Sequence, residues 1–389
     1  MNMSDYVLNN IKELPPSGIR KYFDMINEME DVISLGVGEP DFTTPWNISE
    51  YGIYSLERGH THYSSNSGMI ELREELSNYL QRKYQLKYEP RTQILVTVGG
   101  SEGIDLAIRT LAGPGDEVII PEPSFVAYQG CTRIAGATAV PIELRAEDQF
   151  KLTPELLEKA ITEQTKVLIL PFPNNPTGAL LTRDELAALV EILKDKNIIV
   201  ISDEIYAELT YEGKHVSIAS FPEMYDKTIV INGFSKAFAM TGWRIGYACG
   251  HPELISAMTK IHQYAIMCAP TTAQYAAIEA LRKGDAAVED MVKEYNRRRR
   301  VLIDGFNNIG LTCFEAKGAF YLFPSIKSTG LTSEEFCDQL LLSEGVLVVP
   351  GPAFGKVGEG FVRACYASSM ENIIEAIKRI ERFVNGLKK

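Results

Sequence analysis

Five short apolar runs, separated by stretches of helical periodicity, limit what this chain can fold into. They are Ile94 to Val98, Glu117 to Ile120, Lys166 to Leu170, Ile198 to Ser202 and Thr228 to Ile231. Each is rich in β-branched or other apolar residues and is followed by turn-forming ones, so each reads as a buried strand. Helical patterns lie between them. After Gly99-Gly100-Ser101, for example, Ile104, Ala107, Ile108 and Leu111 recur with i, i+3, i+4, i+7 spacing. Strands alternating with helices imply an α/β fold around a mostly parallel sheet. In open sheets of this kind ligands collect at the carboxyl ends of the strands. The residues that follow each run are therefore the first candidates for a site.

The last of these runs leads into the richest stretch, Val230 to Gly246. Asn232-Gly233 is a turn signal. Lys236 follows, and Arg244 stands eight residues further on, with mostly apolar and small residues between them. A lysine on an apolar turn is poorly hydrated, which lowers its pKa from about 10.4 toward neutrality. Such an amine attacks carbonyls and forms Schiff bases. Arg244 adds a fixed positive charge suited to gripping a phosphate. Together they suggest pyridoxal 5'-phosphate (PLP), an aldehyde that carries a phosphate. Taken by itself the stretch also fits a plain strand-turn-strand with an exposed lysine.

The ends of the other runs carry further candidates. Gly99-Gly100-Ser101 opens a helix, where free amides and the helix dipole favour an anion; a tight turn with no ligand fits equally well. No Gly-x-Gly-x-x-Gly fingerprint supports a dinucleotide. Asn175-Pro176-Thr177-Gly178 is a turn by its own chemistry and puts the Asn175 amide at a strand end. Asp203 ends another run, either facing a crevice or capping a helix, with Tyr206 three residues on. Phe125, after Pro121-Glu122-Pro123-Ser124, is a cofactor-stacking or a core aromatic. Leu35 to Phe42 is a glycine- and proline-rich turn in which Gly38 lets a ligand or another backbone come close. Tyr63 to Gly68 is a polar loop ahead of a helix that begins at Ile70. Near the amino end, Ser17 caps a helix with Ile19, Tyr22, Phe23 and Ile26 on one face.

From about residue 285 the pattern changes. A long helix spans Asp285 to Asn308, strands are expected at Gly318 to Phe323, Val346 to Gly351 and Phe361 to Tyr366, and a helix from Met370 to Val384 closes the chain. This reads as a smaller α/β domain. Arg363, on its third strand, can hold a carboxylate with two parallel hydrogen bonds or pair with a local acid.

Asn-Pro-Thr-Gly at 175–178, Asp-x-x-Tyr at 203–206, Ser-Lys at 235–236 and Met-Thr-Gly-Trp-Arg-Ile-Gly at 240–246 occur in one order. The set, spanning Gly38 to Arg363, resembles the class I/II aminotransferases, the aspartate-aminotransferase-like enzymes of PLP fold type I. The likeness is greatest to the subgroup that uses aromatic and neutral amino acids. It implies a large PLP-binding domain at 46–284 with a mostly parallel seven-stranded sheet between helices. A small domain at 285–389 and an arm at 1–45, partly belonging to the small domain, complete the expectation.

The resemblance also implies roles. Lys236 carries the Schiff base and moves the proton, Asp203 pairs with the pyridine nitrogen, and Tyr206 and Asn175 bond the ring oxygen. Phe125 stacks on the ring. Gly100, Ser101, Ser235 and Arg244 surround the phosphate, and Tyr63 reaches the phosphate of the neighbouring subunit in a homodimer with shared sites. Gly38, Asn175 and Arg363 bind the substrate carboxylate. The activity implied is transfer of an α-amino group from an aromatic, alanine-like or other neutral amino acid, possibly aspartate, to a 2-oxo acid. A PLP-dependent C–S β-lyase of the same fold would use the same lysine and stays open as an alternative. Two positions depart from the pattern. Gly233 stands where many relatives have serine, with Ser235 as the substitute. Ser101 stands where an aspartate-using subgroup has lysine, which argues against dedicated aspartate specificity.

The net charge of −12 disfavours nucleic-acid binding, and with it a PLP-sensing transcription regulator, which needs a basic DNA-binding domain. The basic run Arg297 to Arg300, with Glu289, Asp290 and Glu294 upstream, reads as a solvated or subunit-facing helix. Six scattered cysteines without a Cys-x-x-Cys pair, and five histidines, give no metal or disulfide framework, as expected in a reducing cytoplasm. No apolar run approaches the ~20 residues of a membrane span. The opening Met-Asn-Met-Ser-Asp-Tyr has no charged-then-apolar leader, so a cytoplasmic location is expected.

Overall fold

The chain, as a computed structural model, is described over residues 3–14 and 31–387. The helix expected from Ser17 to Ile26 lies outside the described residues. After a two-residue strand β1 (Ile33–Ser34) the chain builds the main sheet: β2 (Ile94–Thr97), β3 (Glu117–Glu122), β4 (Thr138–Glu143), β5 (Thr165–Leu170), β6 (Ile199–Asp203), β7 (Thr228–Gly233) and β8 (Gly246–Cys249). Their order is β2-β8-β7-β6-β5-β3-β4. β8 is antiparallel to both neighbours, and the other pairings are parallel.

The strands form here because their side chains fill two cores by turns. In β5, Val167 and Ile169 join one apolar cluster and Leu168 and Leu170 the other. The first cluster is roofed by the helix Gly99–Leu111, the second by the helix Arg183–Leu193. Fully burying each such side chain contributes about 1.5–3 kcal/mol. The helix Arg183–Leu193 is fixed at its start by a capping box between Thr182 and Glu185. Because β5, β6 and β7 are parallel, Asn175, Asp203 and Lys236 all follow the same edge of the sheet.

The strand ending in Asn232-Gly233 does not turn there. β7 continues through Gly233, which pairs with Gly246. A Cβ on Gly233 would lie 3.1 Å from the Gly246 Cα, so the bare backbones keep the ladder going one step beyond the apolar run. Lys236 lies in the turn between β7 and β8.

The remaining strands are β9 (Tyr321–Leu322), β10 (Val346–Leu347), β11 (Val349–Pro350) and β12 (Val362–Cys365). Val346 to Gly351 is thus not one strand. β10 runs parallel to β1, while β11 runs antiparallel to β12, and Val348 is the pivot. A run of buried apolar residues serves two sheets, which its composition cannot reveal. The stretch from Gly318 to Phe323 shrinks to β9, because Gly318 is packed against Pro173 and bridges to Thr210 instead. The pairing of β1 with β10 and the bond from Cys365 N to Leu35 O carry residues 33–38 back to the later strands.

The basic run also differs from expectation. It lies on the helix Asp285–Ile309, but Arg298 and Arg299 are buried. Arg298 grips Asp41 with two bonds of 2.8 and 2.9 Å and lies over the rings of Phe42 and Tyr295. Arg299 donates to Ala316 O at 2.5 Å and faces Tyr211. Local charge density predicts a solvated or subunit-facing helix; packing turns two of its arginines, Arg298 and Arg299, into internal ties, while Arg297 stays exposed. Among the described residues no helix is long and apolar enough to cross a membrane.

Candidate active site

At the carboxyl edge of the sheet a cavity of about 300 Å³ opens between the main sheet and β9 and β12. Gly38, Gly100, Ser101, Phe125, Asn175, Asp203, Tyr206, Ser235, Lys236, Arg244 and Arg363 all line it. Tyr63 does not. It is 82% exposed and lines a neighbouring recess with Val98, Ile266 and Pro270.

Lys236 is held by the turn after β7. Its Nζ donates to Gly38 O at 2.7 Å and lies 5.6 Å from the centre of the Phe320 ring. Burial lowers its pKa to about 8; Arg363 and Arg244 push the same way, and Glu39 opposes them. Roughly a tenth of the amine is therefore uncharged at pH 7.

Asp203 ends β6 with its carboxylate buried. Oδ2 accepts from the Tyr128 hydroxyl at 2.6 Å and Oδ1 from Ile205 N at 3.1 Å. Burial raises its pKa to about 6, against the pull of those two donors. The bond to Ile205 N resembles a cap, but a turn rather than a helix follows. Two donors to one buried carboxylate leave it with spare acceptor capacity beside the cavity.

Arg244 sits at a positive φ of 52° and donates to Thr241 O at 2.9 Å. A Cβ on Gly99 would lie 2.5 Å from its Nη2, and one on Gly246 2.6 Å from the Gly99 carbonyl carbon. Bare backbone is thus required for Arg244 to lie against the amino end of the helix Gly99–Leu111. That end and the guanidinium form a cradle for an anion. Ser235 is buried next to Lys236 and lines the same cavity.

Arg363, in the middle strand of its sheet, donates to Asn175 Oδ1 at 3.0 Å and to Gly36 O at 2.6 Å. Its guanidinium lies between the rings of Tyr321 and Phe354, at 4.5 and 4.7 Å. Its Nε is buried and makes no hydrogen bond among the described residues. Among the described residues no acid pairs with it, so no strand-edge ion pair forms there. A buried cation surrounded by neutral groups is suited to a carboxylate.

Tyr206 is buried, and burial holds its phenol well above the usual range, so it remains a donor at neutral pH. Phe125 and Ile205 supply apolar walls. Sequence reasoning missed Tyr128, Ile205, Thr241 and Tyr321 in this lining. Tyr128 stands three positions after Phe125, on the same face of the segment leading into the helix Ala127–Ile134, a spacing that could have found it.

These groups fit a phosphorylated pyridine aldehyde. An amine with a lowered pKa answers the aldehyde, a buried carboxylate the ring nitrogen, and a glycine cradle with an arginine the phosphate. The fold and the lining of this cavity fit a PLP-dependent enzyme.

The model of the family described as "Aminotransferase class I and II" matches residues 30–380. A putative aminotransferase, YugH, of Bacillus subtilis is 50% identical over 383 residues, covering 98% of this chain and 99% of its own. An aspartate aminotransferase of Pyrococcus abyssi is 44% identical, covering 96% and 97%. The crystal structure of an aromatic aminotransferase from Pyrococcus horikoshii superposes with a TM-score of 0.90 at 42% identity, covering 94% of this chain and 99% of that one. This chain belongs to the class I and II aminotransferases, enzymes that use PLP to move amino groups between amino and 2-oxo acids.

Proposed function

We propose that this aminotransferase takes the α-amino group of a neutral or aromatic amino acid and gives it to a 2-oxo acid, with Lys236 as the covalent anchor and proton carrier. The observation that carries the reading is that buried Arg363, on the same cavity as Lys236, bonds only neutral acceptors among the described residues. When bound, PLP supplies a ring that takes up the electron pair released as the Cα–H bond breaks. Lys236 Nζ, uncharged in part near neutral pH, would accept the α-proton and pass it to the carbon of the cofactor's aldehyde group, on the far side of the amino nitrogen. Asp203 keeps the ring nitrogen protonated, and Asn175 and Tyr206 bond the ring oxygen. Gly100, Ser101, Ser235 and Arg244 hold the phosphate. Arg363, with the Gly38 backbone, orients the α-carboxylate.

Donor preference follows from the charges. The cations lining the cavity are Lys236, Arg244 and Arg363, and each already has a role. Ser101 offers no fourth positive charge to a second carboxylate from this chain. Relatives named for aspartate and for aromatic amino acids bracket the choice. A panel of amino donors with 2-oxoglutarate tests it, and aspartate outrunning every aromatic and neutral donor would overturn it.

The working unit in this reading is a cytoplasmic homodimer. Trp46, Leu56, Tyr63 and Tyr264 are exposed large apolar residues. Exposed apolar side chains of this size support a partner surface. The recess lined by Tyr63 reaches Val98, which abuts the phosphate cradle. That supports Tyr63 serving the partner's phosphate. Residues 1–45 as arm, 46–284 as large domain and 285–389 as small domain complete the reading. Cysteines without a disulfide framework support the compartment.

A further inference from the structure

Tyr321 touches both halves of the site, yet nothing in the assignments above uses it. It lies in β9, buried, with its register partner Cys365 two positions from Arg363. Its hydroxyl is 2.9 Å from the hydroxyl of Tyr206. Its ring lies 4.5 Å from the Arg363 guanidinium, which Phe354 covers from 4.7 Å. The hydroxyl occupies its place only because position 38 is glycine. A Cβ there would fall 2.2 Å from the Tyr321 oxygen, a distance no side chain survives. Gly38 is also the residue whose carbonyl accepts from Lys236.

We propose that Tyr321 is a positioning residue with two separable parts. Its hydroxyl donates to Tyr206, and its ring holds Arg363 flat for the incoming carboxylate. The inference rests on the roles given above to Lys236, Tyr206 and Arg363. The direction of the bond follows from valence. A phenol has one proton. If Tyr206 gives its proton to the cofactor ring oxygen, the bond between the two tyrosines must be donated by Tyr321. Hydrogen bonds in such a chain polarise one another, so Tyr206 becomes a stronger donor than it would be alone. A stronger donor to the ring oxygen withdraws negative charge from it. The oxygen then holds less tightly the proton it shares with the Lys236 nitrogen. The ring part is independent of this. A guanidinium between two aromatic faces keeps its plane and its outward N–H groups fixed, and the attraction to each ring adds to the hold.

Two variants separate the parts. Tyr321→Phe removes the hydroxyl and keeps the ring; Tyr321→Leu removes both. The holoenzyme's visible absorbance is titrated with pH, and binding of 3-phenylpropanoate, an unreactive carboxylate, is measured on the same samples. In Tyr321→Phe the titration midpoint moves up by roughly half a pH unit, the size expected from weakening one hydrogen bond, while carboxylate affinity stays within about twofold of wild type. Tyr321→Leu shows the same midpoint shift and binds the carboxylate about fivefold or more weakly. An unmoved midpoint in Tyr321→Phe, or a loss of carboxylate affinity in it as large as in Tyr321→Leu, overturns the proposal. Should the leucine variant not fold, both phenylalanine measurements still decide. A wild-type protein without any visible band overturns the lysine assignment and this proposal together. A normal wild-type band with an unchanged Tyr321→Phe titration overturns the role of Tyr321 alone.

Discussion

The amine of Lys236 donates to the carbonyl oxygen of Gly38 at 2.7 Å, although 198 positions separate them in the chain. One hydrogen bond to a neutral acceptor does not replace the hydration the ammonium loses, so burial lowers its pKa from 10.5 to about 8. The consequence for stability has a definite sign. Below about pH 8 the amine is charged in both the folded and the unfolded apoprotein, and the folded state bears the full burial penalty. Between about 8 and 10.5 the unfolded chain binds more protons, so stability rises with pH. Buried cysteines with raised pKa values pull the other way in wild type and variant alike, so the rise is read as a difference: the stability gap between the wild-type apoprotein and Lys236→Met, taken from denaturant midpoints, should narrow across this window. Lys236→Met should be more stable than wild type at pH 7, by on the order of 2 kcal/mol.

Asp203 carries the opposite ionic preference and depends on Tyr128. Its pKa, raised by burial to about 6, would be higher still without the 2.6 Å bond from the Tyr128 hydroxyl. A protonated Asp203 cannot hold a cationic ring nitrogen. Cofactor affinity of the apoprotein should therefore fall as pH drops through about 6. In Tyr128→Phe the fall should begin at a pH higher by about 1 unit, the worth of one hydrogen bond to a charged group. Fluorescence titration with PLP from mildly acidic to neutral pH reads the displacement.

Arg363 meets its partners with a planar fork, donating to Asn175 and Gly36 from two nitrogens. Lysine keeps the charge but not the fork or the flat contact with Tyr321 and Phe354. Arg363→Lys should raise KM for both the amino acid and the oxo acid by about 10- to 100-fold, with a smaller loss in kcat. Steady-state kinetics with each substrate varied in turn gives the split.

How legible the molecule is from its residues depends on how far apart the deciding contacts lie. β5 and β6 announce themselves because neighbouring side chains in one run fill opposite cores. Lys236, Asp203 and Asn175 are visible because each directly follows such a run, and parallel strands bring run ends together. Tyr321 is not visible this way. Within Gly-Ala-Phe-Tyr-Leu-Phe it looks like core, and only a meeting with Tyr206, 115 positions away, gives its hydroxyl a task. Arg298 fails for the same reason. Its nearest charges in the chain suggest solvent, while its partner Asp41 is 257 positions distant. Val346 to Pro350 divides between two sheets because of where β1 and β12 lie, not because of anything in its own order.

The tie between Arg298 and Asp41 holds the turn that carries Gly38. Asp41 follows Gly38 closely, and Arg298 is only 7% exposed at its side chain. Removing the guanidinium leaves a partly buried carboxylate without the Nη1 donor that serves both its oxygens. Arg298→Ala should lower stability by about 2 to 3 kcal/mol and, by loosening the Gly38 turn, weaken carboxylate binding more than cofactor binding. Thermal unfolding together with separate affinities for 3-phenylpropanoate and PLP tests both parts.

The proposed homodimer with shared sites makes a quantitative claim that one mixing experiment can check. If Tyr63 serves the partner's phosphate, a complete site needs Lys236 from one subunit and Tyr63 from the other. Tyr63→Ala and Lys236→Ala homodimers each lack one component in both sites. After equal mixing and exchange through mild denaturant, half of the dimers are hybrids. In each hybrid, the subunit that keeps Lys236 faces a partner that keeps Tyr63, so one of its two sites is intact. Activity should then recover to about a quarter of wild type, well above either parent. If Tyr63 instead acted within its own chain, every site in the hybrid would lack one component and mixing would restore nothing. Recovery therefore separates a shared site from two self-contained ones.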